Sequence, residues 1–299
     1  MTVPVSGKAA PRAALVGVAL LLVYVVWGST YLGIRLALES GLPPLSVISG
    51  LRFVVAGSAL YAVLRWRGVA APTRAQWPTL AVMGFALLFL GNGMVVLAER
   101  DVSSGLAAVA VASVPLWMAL FSAFRGHKVS AMEWLGIGIG FAGVLWLNAG
   151  SSLTATPRGL VFLLIAPLGW AAGSIWSKGR DLPSPFMTAA AQMLCGGVIL
   201  VASGLLLGER ITAWPSLQGW LSVSYLSVFG SIIGFTAYVW LLHNVRPVLA
   251  SSYAYVNPVI AVALGAWLAA ERFSAADIGA MAVILAGVVV ITLAKVWQR

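Results

Sequence analysis

Residues 27–35 read WGSTYLGIR, and residues 170–178 read WAAGSIWSK. Each sets a tryptophan deep in an apolar run and a basic residue eight positions later, and the copies lie 143 residues apart. The spacing recurs along the chain. Pro115 in SVPLW answers Pro258 in VNPVI, and Gly91 answers Gly234, both at 143. After one inserted residue SAMEWLG meets SAADIGA and Gly143 meets Gly287, while LPPLSVISGLRFVVAG aligns with LPSPFMTAAAQMLCGG at 140. Ordered matches at a nearly constant offset are the mark of an internal duplication.

The material being duplicated is membrane-like. Of 299 residues, 61% are hydrophobic and 9% charged, with mean hydropathy +0.99. A soluble chain carries about 25% charged residues. The apolar residues fall in runs of about 20, the length that crosses a hydrocarbon core of ~30 Å. Length and breaker residues predict ten spans, near 13–35, 45–66, 78–98, 104–124, 132–149, 158–178, 185–207, 217–241, 248–269 and 276–296. The expected fold class is an all-α integral membrane protein without a soluble domain. The first run, after Lys8 and Arg12, is too long for a signal peptide and lacks an A-x-A-type cleavage site, so it reads as a retained helix.

The net charge of +10 follows orientation rather than nucleic acid. With a cytoplasmic N-terminus, only Arg35, Arg100, Arg158, Arg210 and Arg272 fall outside and Arg52 within a span, leaving twelve basic residues inside. That asymmetry is the positive-inside pattern, and it puts both termini in the cytoplasm. The duplication then divides the chain into a tail (1–12), a first five-helix repeat (13–150) and a second (151–299). Five is odd, so the second copy enters the membrane from the opposite side. Inverted repeats of this kind build secondary transporters with a midplane site.

Ten spans in two halves, Trp-Gly-Ser at residues 27–29 late in the first span, and the midspan Pro115 and Pro258 resemble the EamA branch of the drug/metabolite transporter superfamily. The aromatic richness is most similar to YddG-type exporters of aromatic amino acids. The resemblance covers nearly the whole chain and rests on arrangement rather than on one motif. It implies a basket of helices around a central cavity, lined mainly by helices 1, 3, 4, 6, 8 and 9.

Depth, counted at ~1.5 Å per residue, places Trp27 beyond the midplane toward the outside and Trp170 beyond it toward the inside, near two gates. Pro115 and Pro258 come out near the midplane as hinge candidates, since each frees a backbone carbonyl that only protein or a watered cavity satisfies. Pairs at i, i+4 share a helix face: Trp27 and Tyr31, Ser113 and Trp117, Trp170 and Ser174, Gly234 and Tyr238, Tyr253 and Asn257. With Asn92 these are the candidate lining of a chamber for an amphipathic solute. Both cavity lining and plain helix packing remain open for the aromatics, and hydroxyls such as Ser29, Thr30, Ser113 and Ser174 commonly bond their own helix. Trp66, Trp77, Trp214, Trp220 and Trp297 suit the interfacial belts. Arg52 either serves structure or contacts an anion; its repeat counterpart is Gln192.

Some chemistry is missing. The acids (Glu39, Glu99, Asp101, Glu133, Asp181, Glu209, Glu271, Asp277) all fall in loops or at span ends. Glu99 and His243 are weak candidates for a proton site, so the sequence favours a uniporter or exchanger. GIGIGFAG (136–143) contains G-x-G-x-x-G but lies within a span, and Gly136 and Gly140 predict close helix packing instead. With two histidines, a lone Cys195 and scattered acids, neither a metal site nor a hydrolase triad is assembled, and no cofactor is expected. The expected function is export of small metabolites, chiefly aromatic or hydrophobic amino acids, by alternating access across the bacterial inner membrane, with the lipid bilayer as surroundings and the protein a monomer or weak homodimer. Nucleosides, drugs or sugars are the alternative solutes, and a membrane-embedded lipid-modifying enzyme is the alternative class.

Overall fold

The computed structural model describes residues 13–102, 107, 110–147, 149, 156–212, 214–269 and 274–294. The tail 1–12, the first turns of the fourth predicted span, the boundary between residues 150 and 151, and Glu271, Arg272, Lys295, Trp297 and Arg299 lie outside the described residues. Among those described, the regular structure is helical: α1 (Ala13–Glu39), α2 (Pro44–Trp66), α3 (Trp77–Ala98), α4 (Ala110–Phe124), α5 (Ala131–Leu147), α6 (Pro157–Ser177), α7 (Pro185–Leu206), α8 (Leu217–Asn244), α9 (Tyr253–Ala269) and α10 (Ala275–Leu293). A single turn, Pro247–Ala250, precedes α9. Six of these, α1, α2, α3, α6, α7 and α8, are long and apolar enough to cross a membrane. The others are shorter apolar helices. Trp66 and Trp214 are both 86% exposed, as residues facing lipid headgroups would be.

Local chemistry sets the ends. Proline occupies the first turn of α2, α3, α6 and α7, where its missing N–H has no partner to lose. Ser130 and Glu133 form a capping box at α5, with Ser130 N–H donating to Glu133 (2.8 Å) and Glu133 N–H donating to Ser130 Oγ (3.2 Å). Gly68 (φ 79°) and Gly208 (φ 81°) close α2 and α7 in the left-handed conformation that favours glycine.

The helices pack in two interlocked sets. α1 packs on α8 and α9, and α6 packs on α3 and α4. Across the molecule α2 packs on α7, and α5 on α10. Glycines allow the last contact: a Cβ on Gly136 would stand 2.9 Å from the Gly287 carbonyl, and one on Gly287 would stand 2.5 Å from the Gly140 nitrogen. The pattern read as G-x-G-x-x-G is a helix seam.

Three stretches wind with π-helical bonding: Pro44–Leu51 opening α2, Gly84–Gly93 in α3 and Leu226–Phe235 in α8. π-Helix is rare, and where it occurs it redirects carbonyls and often marks a functional site. The segments in α3 and α8 lie against the central cavity.

Candidate functional site

A cavity of about 720 Å³, its open mouth included, lies in the half of the bundle where α1 ends and α2 begins. Its wall holds Trp27, Thr30, Tyr31 and Ile34 of α1, Arg52 and Phe53 of α2, and Leu88, Gly91, Asn92 and Val95 of α3. Val111 and Val114 of α4, Ala166, Pro167 and Trp170 of α6, Gly230 and Phe235 of α8, and Tyr253 and Asn257 of α9 complete it. Helix α2 thus joins the six helices the resemblance implied.

The floor is a layer of four aromatic rings. The Trp27 and Trp170 centroids are 5.4 Å apart, edge to face, and Trp27 lies 4.6 Å from Tyr253 and 5.3 Å from Tyr238. Trp170 lies 5.2 Å from Tyr238, which is fully buried. Hydrogen bonds hold the rings: Trp27 Nε1 donates to the Gly230 carbonyl (3.0 Å), Trp170 Nε1 donates to the Tyr238 hydroxyl (2.9 Å), and Ser174 Oγ lies 2.8 Å from that hydroxyl. Gly230 lies within the π-helical stretch of α8.

This corrects the expectation of two separate gates. Depth counting followed Cα positions, but side chains on a helix lean toward its N-terminus. The two indoles therefore meet although their Cα positions were counted to different depths. Glycine makes room on both sides. A Cβ on Gly91 would lie 2.6 Å from the Trp170 ring, and one on Gly234 would lie 2.5 Å from the Trp27 ring.

The polar wall lies above that floor. Arg52 is 4% exposed. Its Nη2 donates to Asn92 Oδ1 (2.8 Å), while its Nε and Nη1 have no hydrogen-bond partner among the described residues. Asn257, 2% exposed, hydrogen-bonds Tyr31, and its Oδ1 has no partner among the described residues. Glu99 follows the last residue of α3, where its Oε1 is sealed from solvent without a partner among the described residues. Burial pushes the Glu99 carboxyl up to about 8, and the nearby Arg52 charge opposes that rise. Proximity to Arg52 was hidden in the sequence, where Glu99 looks like a span end.

Not every predicted residue reaches the cavity. Trp27, Tyr31, Asn92, Trp170, Tyr253, Asn257 and Arg52 line it. Tyr238 belongs to the floor without lining the cavity and Ser174 stands behind it, their hydroxyls bonded to each other and, through Tyr238, to Trp170. Ser113 bonds back to the Ala110 carbonyl (2.6 Å), and Trp117 packs against Phe121 at 6.2 Å. Sharing a face with one another did not aim these two inward. Ser29 and Thr30 bond back to Val26 and Trp27 as hydroxyls on helices do. Pro115 sits in the first turn of the α-helical stretch Val114–Phe124, and Pro258 lies inside α9. Sequence reasoning missed Phe53, Phe235 and Pro167, which carry no polar signal. Arg35 does not end α1; it pairs with exposed Glu39 (2.8 Å) one turn before the helix ends.

A second cavity of about 1,040 Å³, mouth included, opens at the other end of the bundle. His127, Lys128, Lys178, His243 and Arg246 give it a basic lining with Glu133 as its acid. Arg246 bonds Glu133 (2.8 Å), and Lys178 Nζ donates to the Val245 carbonyl (3.1 Å). Burial, then the Arg246 charge, lower the Lys178 pKa. The aromatic floor separates the two cavities.

The chain is thus a helical membrane protein with an internal chamber floored by aromatic rings. The model of the EamA-like transporter family matches residues 15–149 and again 157–293, and the chain belongs to that family. It is 46% identical to the uncharacterised inner membrane transporter YedA of Escherichia coli (strain K12), over 93% of this chain and 90% of that protein. It is 25% identical to a probable amino-acid metabolite efflux pump of the same strain, over 95% of this chain and 96% of that one. A solved crystal structure of 22% identity superposes with a TM-score of 0.79, covering 96% of this chain and 99% of its own, and shares the fold. The protein is therefore a membrane transporter and not an enzyme.

Proposed function

We propose that the protein exports small metabolites, chiefly amino acids with aromatic or hydrophobic side chains, across the bacterial inner membrane by alternating access. In this reading ten helices span the bilayer as two inverted five-helix repeats, both termini are cytoplasmic, and the basic second cavity is the cytoplasmic vestibule. Symmetry of contact supports it. Exchanging each residue for its partner 143 positions away turns the Trp27–Gly234 contact into the Trp170–Gly91 contact, and turns α1 on α8 and α9 into α6 on α3 and α4. An inverted repeat has that property, and rocking of one half against the other is its usual motion.

The observation that carries the function is the aromatic floor between two cavities. Solute entering the chamber would stack on Trp27, Trp170 and Tyr253 and meet the polar groups of Arg52, Asn92 and Asn257. Release to the other side requires the four rings to part, with Pro115 and Pro258 as the hinges. The name of the efflux pump relative supports amino acids as the first solutes to test.

Counterflow in proteoliposomes over a panel of amino acids, nucleosides, sugars and cationic drugs tests the proposal. Exchange of aromatic and large aliphatic amino acids, and not of sugars or nucleosides, is expected. Exchange of nucleosides or sugars alone would move the solute class, and no exchange of any solute would sink the transport assignment of this cavity.

A further inference from the structure

Arg52 has an unusual balance of partners. A buried guanidinium is costly unless its donors are met, and here two nitrogens of a side chain on the chamber wall are sealed from solvent with no partner among the described residues. Nε–H and Nη1 diverge on either side of the Cδ–Nε bond, and each leaves a charged donor able to meet one carboxylate oxygen. Its compensating charge stands off. Glu99 lies one helical turn beyond Val95, on the face that also carries Asn92, and each feels the other's charge. Yet the two make no direct ion pair of the kind that joins Arg246 to Glu133.

One guanidinium in a low-dielectric site cannot offset two carboxylates at once. When two acids compete for one cation, the less well solvated of them holds a proton. We propose that Glu99 is a proton-binding site and that an anionic solute group seats on Arg52 only while Glu99 is protonated. The charges balance: ionised Glu99, Arg52, a solute carboxylate and one proton become neutral Glu99 beside an Arg52–carboxylate pair. The site carries no net charge before or after. Other groups near Glu99 are Tyr31 from α1 and, next along the chain, Arg100 and Asp101. Arg100 is exposed. The upward shift of Glu99 places the titration near pH 8. The sequence favoured a uniporter or exchanger; this arrangement couples anion binding to a proton.

The inference rests on the transporter reading of the same cavity, but its test needs binding only, so the two can fail separately. The probe is 3-phenylpropionate, whose own carboxylate stays ionised from pH 6.5 to 9.5, with 3-phenylpropionamide as the neutral control. Calorimetry on the full chain in detergent is expected to give an affinity flat below about pH 7 and about tenfold weaker per pH unit once Glu99 is ionised. Above that pH, binding takes up close to one proton, seen as a heat that depends on the buffer. Glu99→Gln should bind as tightly at pH 9 as at pH 7. Arg52→Gln should lose the carboxylate and keep the amide, with Arg52→Lys as a variant that retains the charge. Four results would overturn the proposal: pH-independent binding by the wild type, an unchanged slope in Glu99→Gln, full carboxylate affinity in Arg52→Gln, or no carboxylate binding at any pH.

Discussion

Tyr238 illustrates how one hydroxyl can hold a gate. It accepts from Trp170 Nε1 and bonds Ser174, and it is fully buried. Tyr238→Phe keeps the ring but strands both partners, which costs about 1–3 kcal/mol of local stability. The expected outcome is a faster, less selective leak of small solutes through liposomes with little change in expression. An unchanged leak would mean that the floor is held by ring contacts alone. Gly91 tests the same layer from its other side. Gly91→Val drives a methyl into the Trp170 ring, and overpacking of that kind costs about 1–3 kcal/mol. A lowered melting temperature in detergent is expected, and the mirror variant Gly234→Val should lower it by a similar amount through Trp27.

At the scale of the helix, the N-terminus of α2 depends on an acid from elsewhere. Glu209, just after α7, accepts from Leu45 N (3.0 Å), Ser46 N (2.7 Å) and Ser46 Oγ (2.7 Å). A carboxylate there meets both the free N–H groups and the helix dipole. Glu209→Ala should destabilise the protein by about 1–3 kcal/mol, measured as loss of thermal stability, and Glu209→Gln by less. The helices themselves were legible in the sequence, because run length and Pro or Gly breakers register directly against bilayer thickness. Of the seven residues predicted to line the cavity and found there, Trp27, Tyr31, Trp170, Tyr253 and Asn257 were legible through the repeat and the i, i+4 rule, and Arg52 and Asn92 as polar groups inside apolar spans. What stayed hidden needed three dimensions. Ser113 and Trp117 share a face, but periodicity cannot say which face looks inward. The meeting of Trp27 and Trp170 depends on side-chain direction, and the nearness of Glu99 to Arg52 on how α3 ends against α2. The π-helical turns leave no mark in a hydropathy pattern.

For the molecule as a whole, two cavities with an aromatic layer between them are the arrangement that the proposed alternating access requires. Cys195 is the lone cysteine, so a Cys195→Ala background allows single reporters: Thr30→Cys in the chamber and Val129→Cys in the basic vestibule. The most direct measurement is the rate at which each reporter reacts with a membrane-impermeant thiol reagent, with and without a solute that the counterflow panel shows to exchange. Alternating access predicts that the solute changes the two rates in opposite directions, one rising as the other falls. Rates that rise together, or that ignore the solute, would contradict it.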